Sequence, residues 1–175
     1  MRAGERLRQH RPGACAPRRN LTVRDPVGAV VHILIAPRRG APMQRLEDVY
    51  AIAGEGLAGD RYAEAANRHS PDCQLTLIQS EHIHDFGMQA GVAFTADMPR
   101  RNIVTAGVSL NELCGRRFRV GESVMEGLGL CEPCKLFAKR THRAVLKFFV
   151  GKGGLRARII TSGRIRVGDA ISPDA

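Results

Sequence analysis

The chain has 175 residues, 43% of them hydrophobic, with 27 Lys and Arg against 17 Asp and Glu for a formal net charge of +10. That length accommodates one domain with a full core and cramps a second, and the longest apolar run, Val27 to Ala36, is interrupted by His32 and far too short to span a bilayer, which points away from the membrane. Five cysteines form an odd set with Cys131 and Cys134 too close to staple separate elements, so a secreted disulfide framework fits poorly and a reducing cytoplasm fits better.

The charge is uneven. Residues 1–20 hold Arg2, Arg6, Arg8, Arg11, Arg18 and Arg19 against one acid, Glu5, so half of the excess lies there. With Pro12, Gly13 and Pro17 and no apolar periodicity, residues 1–24 read as a basic, disordered tail ahead of one domain over residues 25–175. The body is poor in aromatics, 5% with no Trp, so stacking platforms for nucleic acid are sparse and such a partner is not favoured. A basic pocket for an anionic small molecule remains open.

From residue 27 the breakers come at short intervals and strand outweighs helix. Val27 to Ala36 is a β-branched strand ended by Pro37; Pro42 to Ile52 fits a short helix or a strand equally. Gly54 to Tyr62 has glycine at 54, 56 and 59 and reads as a loop able to approach a ligand closely. Gln74 to Gln79 alternates as a strand, and Ser80-Glu81 opens a helix that Gly91 ends. Pro99 to Gly107 places Arg100, Arg101 and Asn102 before a turn, in a form suited to phosphate or carboxylate. Arg117 to Val120 and Ser123 to Leu130 read as a hairpin leading into Cys131-Glu132-Pro133-Cys134. Leu136, Phe137, Val145, Leu146, Phe148 and Phe149 give helical spacing for one long helix over Lys135 to Val150. Leu155 to Thr161 and Arg164 to Val167 read as a closing hairpin across Ser162-Gly163. The class is α+β, mostly β.

The cysteine pair carries the strongest chemical signal. A thiolate before a helix is favoured by unpaired N–H groups, and Lys135 adjoins it, so Cys134 is the candidate reactive thiol with Cys131 as its companion. Other readings stand beside this one. The two could be inert core thiols, or a thioredoxin-like dithiol pair. Cys114, Cys131, Cys134 and His142 could ligate zinc, though without the second paired motif such sites carry. Asp60 and Arg61 could form a buried ion pair tying the glycine loop down as readily as they could touch a ligand, and Arg100 and Arg101 could simply be solvated. Cys15 and Cys73 read as incidental, and His82 and His84 as surface residues.

In this order and spacing, Gly56-Leu57-Ala58-Gly59-Asp60-Arg61, Arg100-Arg101-Asn102-Ile103-Val104-Thr105, Cys131-Glu132-Pro133-Cys134 and Gly153-Gly154-Leu155-Arg156-Ala157 with Gly168-Asp169 resemble the MOSC domain, named for the C-terminal domain of molybdenum cofactor sulfurases and also found alone in bacteria. The resemblance covers most of residues 25–172. It implies a barrel-like β fold with a few peripheral helices. It also implies one functional cysteine, Cys134, which in relatives holding molybdenum cofactor (molybdopterin) is a metal ligand and elsewhere is proposed to carry sulfur as a persulfide. Asp60, Arg61, Arg100, Arg101, Asn102 and Thr105 then become candidate cofactor-binding residues. The sulfurases' pyridoxal phosphate is not expected, since this length leaves no room for the domain that binds it. The implied partners are a sulfur donor such as a cysteine desulfurase, or a separate electron-transfer protein. Whether the chain is a sulfur transferase or part of a molybdenum-dependent oxidoreductase stays open.

Overall fold

The structure is a computed structural model and describes residues 28–64 and 74–174. The readings of the tail over residues 1–24, of Cys15 and of Cys73 fall outside the described residues. Eleven strands are described: β1 (Gly28–Ile35), β2 (Gln44–Leu46), β3 (Asp48–Ile52), β4 (Gly56–Leu57), β5 (Leu75–Gln79), β6 (Ile103–Ala106), β7 (Arg117–Val120), β8 (Ser123–Leu130), β9 (Leu155–Thr161), β10 (Gly163–Arg166) and β11 (Ala170–Pro173). Helix α1 (Ser80–Ala90) joins β5 to β6, and α2 (Lys135–Arg140) and α3 (Val145–Phe148) lie between β8 and β9.

Seven strands close on themselves in the order β11-β7-β8-β9-β5-β6-β1, sealed where Gly28 and Ala29 pair with Ile171 and Ala170; β2 extends from β1, and β10-β3-β4 form a small second sheet. Closure removes the exposed edges that an open sheet would have to protect. Pairing is antiparallel except between β5 and β6, whose α1 crossover is the connection a parallel pair needs. The expected mostly-β barrel with peripheral helices is therefore the observed fold.

The apolar runs of β1, β5 and β6 are nearly continuous because both faces of these strands are covered. Ile33, Leu75, Leu77 and Ile103 point into the barrel among Phe118, Met125 and Leu155, all fully buried. Leu34, Ile78 and Val104 point outward against Phe86, Phe137, Val145 and Phe149, which the helices supply. This outer layer matters for function. It fixes the helices, and hence the residues at the start of α2, against the barrel wall.

Two expected elements take a different form. The long helix over residues 135–150 is two short ones, broken at Thr141 (φ −128°, ψ −92°), whose hydroxyl donates to the Phe137 carbonyl while the Ala144 N–H donates to the His142 ring. These polar side chains satisfy the backbone locally, so the apolar spacing is kept while the axis breaks. The closing hairpin is replaced by a corner: β10 leaves β9 and pairs with β3, Ile165 opposite Val49. Strand β11, unassigned from sequence, closes the barrel. The ambiguous Pro42 to Ile52 segment resolves into β2 and β3.

Candidate functional site: a thiol in an arginine cleft

β8 ends at Leu130, and the Cys131 N–H continues the ladder by donating to the Gly154 carbonyl at 2.7 Å. The chain then reaches Cys134, which precedes α2 with an extended backbone, φ −132° and ψ 164°. Pro133 holds Glu132 away from helical conformations. Cys131 is buried at 8% exposure, whereas Cys134 is exposed, and both thiols are free. Burial pushes the Cys131 thiol above its ordinary pKa, against the opposing pull of Arg101 and Arg156.

The exposed thiol opens into a cleft of about 270 Å³ lined among others by Arg61, Tyr62, Arg100, Arg101, Leu136 and Arg140. A neighbouring lobe of about 350 Å³ shares Arg61, Tyr62, Arg100, Leu136 and Arg140 and adds Arg39. Four arginines, Arg61, Arg100, Arg101 and Arg140, thus line the cleft that holds Cys134, and Arg39 lines the adjoining lobe, with no acid among the lining residues of either. Arg100 is partly buried, and desolvation followed by the nearby charges of Arg61 and Arg140 lowers its pKa. A counter-anion would relieve that crowding. Arg100 also has a left-handed backbone, φ 57°, a strained choice for a side chain of this size. The Arg61 guanidinium lies over the Tyr62 ring, 4.3 Å from its centroid.

The other expected binding residues occupy different ground. Asp60, 1% exposed, accepts from the Ala36 N–H at 2.8 Å, the Tyr62 N–H at 3.0 Å and the Asn102 amide at 3.2 Å. Its described partners are thus backbone and amide, while Arg61 turns to the cleft. Asn102, 2% exposed, accepts from the Thr76 N–H and hydroxyl and donates to the Leu34 carbonyl as well as to Asp60. Thr105 is buried and donates to the Ile78 carbonyl. These three stitch the glycine loop, β1, β5 and β6 together behind the cleft. Arg101 does both: its Nε donates to the Gly153 carbonyl at 2.9 Å and its side chain lines the cleft. Gly153 is required here because a Cβ would run into the Cys131 carbonyl oxygen.

Sequence reasoning missed Arg39, Tyr62, Leu136 and Arg140 as lining residues. Arg140 was visible only as one of several cations on an amphipathic helix, and nothing in its spacing separates it from Lys139. The zinc reading loses its donors: Cys114 is disulfide-bonded, and no group of three or more His, Cys, Asp or Glu suited to a metal ion occurs among the described residues. His84 is exposed as expected, but His82 is partly buried with Nδ1 3.2 Å from the Lys152 carbonyl, and burial lowers its pKa. No helix of the described residues is long and apolar enough to cross a membrane.

No curated protein sequence is matched by this chain. Among solved structures, the YuaD protein from Bacillus subtilis superposes with a TM-score of 0.70 at 16% identity, over 82% of this chain and 93% of that one. YiiM from Geobacillus stearothermophilus gives 0.62 at 19% over 85% and 74%, and YiiM from Escherichia coli 0.61 at 18% over 84% and 70%. At such identities the likeness is one of fold. The model of the MOSC domain matches residues 64–172, which run from the end of the glycine loop through the cysteine pair to β11, and the chain therefore belongs to the MOSC domain family.

Proposed function

We propose that Cys134 is the working thiol of a molybdenum-cofactor-binding or sulfur-carrying protein, and that Arg61, Arg100 and Arg140, flanked by Arg39 and Arg101, hold the anionic part of whatever the thiol engages. The observation that carries this reading is that four arginines and no carboxylate line the cleft that holds one exposed, free thiol, with a fifth arginine in the adjoining lobe. Thiolate is both a soft ligand and a nucleophile, and guanidiniums match phosphate in a bidentate fashion.

The donor set fits molybdenum cofactor in chemical type. One thiolate is available as a ligand and the arginines suit the pterin's phosphate, while the lining offers no carboxylate to repel it. When bound, the cofactor would supply a metal able to change oxidation state. Cys134 would ligate it, the arginines would orient and neutralise the phosphate, and Leu136 and Tyr62 would give a flat ring apolar contact.

Sulfur carriage uses the same atoms. The Cys134 thiolate attacks the outer sulfur of a donor persulfide, R–S–SH, such as that on a cysteine desulfurase; a new S–S bond forms to Cys134, giving Cys134–S–SH, as the donor's S–S bond breaks and R–S⁻ leaves. The arginines stabilise the persulfide anion. A dithiol cycle is the weaker reading, because Cys131 is buried and burial raises its thiol pKa, whereas Cys134 alone is exposed.

Intact mass and metal analysis of protein purified anaerobically from its host, beside Cys134→Ala, tests the proposal. Molybdenum with a pterin, absent from the variant, assigns cofactor binding. One extra sulfur atom on Cys134 assigns carriage. A bare chain with a Cys131–Cys134 disulfide would overturn both.

A further inference from the structure

A second concavity lies beyond the α2–α3 turn and shares no lining residue with the arginine cleft. Its volume is about 420 Å³, within the range of small-molecule sites. Phe86, Ala90 and Phe148 form its apolar part. Phe86, only 1% exposed, packs edge-on to Phe148 at 5.2 Å between centroids, so Phe86 supports from the core the partly exposed Phe148 that the concavity presents.

The polar part is cationic. Lys147, Lys152 and His142 line the concavity and no acidic residue does. Lys152 Nζ sits over the Phe148 ring at 4.8 Å from its centroid, which places the ammonium beside the aromatic surface rather than leaving it free in solvent. The Ala144 N–H donates to His142 Nδ1 at 3.2 Å, so that nitrogen's lone pair is taken and the ring offers its other nitrogen, as an N–H, to an incoming group.

Apolar floor and cationic rim together select an amphipathic anion. From this we infer that the concavity bounded by Phe86, Phe148, His142, Lys147 and Lys152 is a binding site for a small aromatic carboxylate, its ring against Phe148 and Ala90 and its carboxylate between the ammonium groups and the His142 N–H. A neutral aromatic gains only the floor. An inorganic anion gains only the rim, in water, where such contacts are weak. The site is independent of the chemistry assigned to Cys134.

The absence of Trp allows a direct assay, since 2-naphthoate can be excited where the chain's two Tyr do not absorb. Titrating it into the full chain should give saturable, one-site binding. Lys147→Glu with Lys152→Glu, both at exposed positions, should weaken it at least tenfold, Arg140→Ala should leave it unchanged, and 2-naphthalenemethanol should bind at least tenfold more weakly. Equal affinity for the neutral alcohol would overturn the inference. So would sensitivity to Arg140→Ala without sensitivity to the lysine pair, which would put the ligand in the arginine cleft. Absence of saturable binding would overturn it too, as would loss of binding on raising the protein concentration, which would make a second copy of the chain the occupant.

Discussion

The arginine cleft and the polar junction behind it share two stretches of sequence, and they differ in almost every physical respect. In the first stretch Asp60 is sealed and Arg61 opens to the cleft; in the second Asn102 is sealed while Arg100 and Arg101 face outward. Adjacent residues thus divide into a hydrogen-bonded lock and an open charge cluster. Residues of one motif need not share one role. The junction must be complete because buried polar groups are costly when unpaired, whereas the cleft holds like charges together that only a ligand can satisfy.

The sharpest way to separate the two regions is to remove a partner from the lock. Asn102→Ala strips the amide from Asp60, Thr76 and Leu34 and should cost about 3–5 kcal/mol, as breaking a buried charged network does. Thermal unfolding should show a Tm lower by about 10 °C for a chain of this size. A change under about 1 kcal/mol would mean that water substitutes readily and that the junction is not a lock. Arg140→Ala, in the cleft, should do the reverse: sulfate or phosphate affinity, measured by calorimetry at fixed low salt, should fall about tenfold with the Tm nearly unchanged.

Cys131 belongs to the lock side, and pH can show it. Its folded pKa is raised above the ordinary 9.0, so above pH 9 the unfolded chain releases this proton first. Stability from the buried thiol is therefore complete below pH 9 and should decline as pH rises through the window between 9.0 and the folded value. Cys131→Ser should flatten that part of the pH–stability curve while leaving sulfur or metal loading on Cys134 in place. Loss of loading in this variant would favour the dithiol cycle. The smallest effect is expected from Arg100→Gly: relief of the left-handed backbone should offset the cost of glycine's freedom, leaving stability within about 1 kcal/mol, with anion affinity still reduced.

How far sequence could see follows from the same division. Strands announce themselves by alternation or by β-branched runs, and β1, β5, β7, β8 and β9 were legible for that reason. The extent of α2 was not, because Phe137, Val145 and Phe149 keep helical spacing across a break made by Thr141 and His142. The pairing of β10 with β3 depends on a corner that no local signal encodes. Arg61, Arg100 and Cys134 could be picked out by motif, but that Asp60 and Asn102 face inward is a tertiary fact, fixed by where Ala36, Leu34 and Thr76 happen to lie.

The seam between β1 and β11 carries a consequence for biosynthesis. A ribosome releases the chain from its first residue, so β1 exists long before its partner residues Ala170 and Ile171 emerge. Until then the nascent sheet has open rims at β1 and β7, and the ring cannot shut by any local rearrangement. Completion waits until Ala170 and Ile171 have emerged. A chain cut short before Ala170 would leave a sticky, unclosed sheet rather than a shorter version of the same protein.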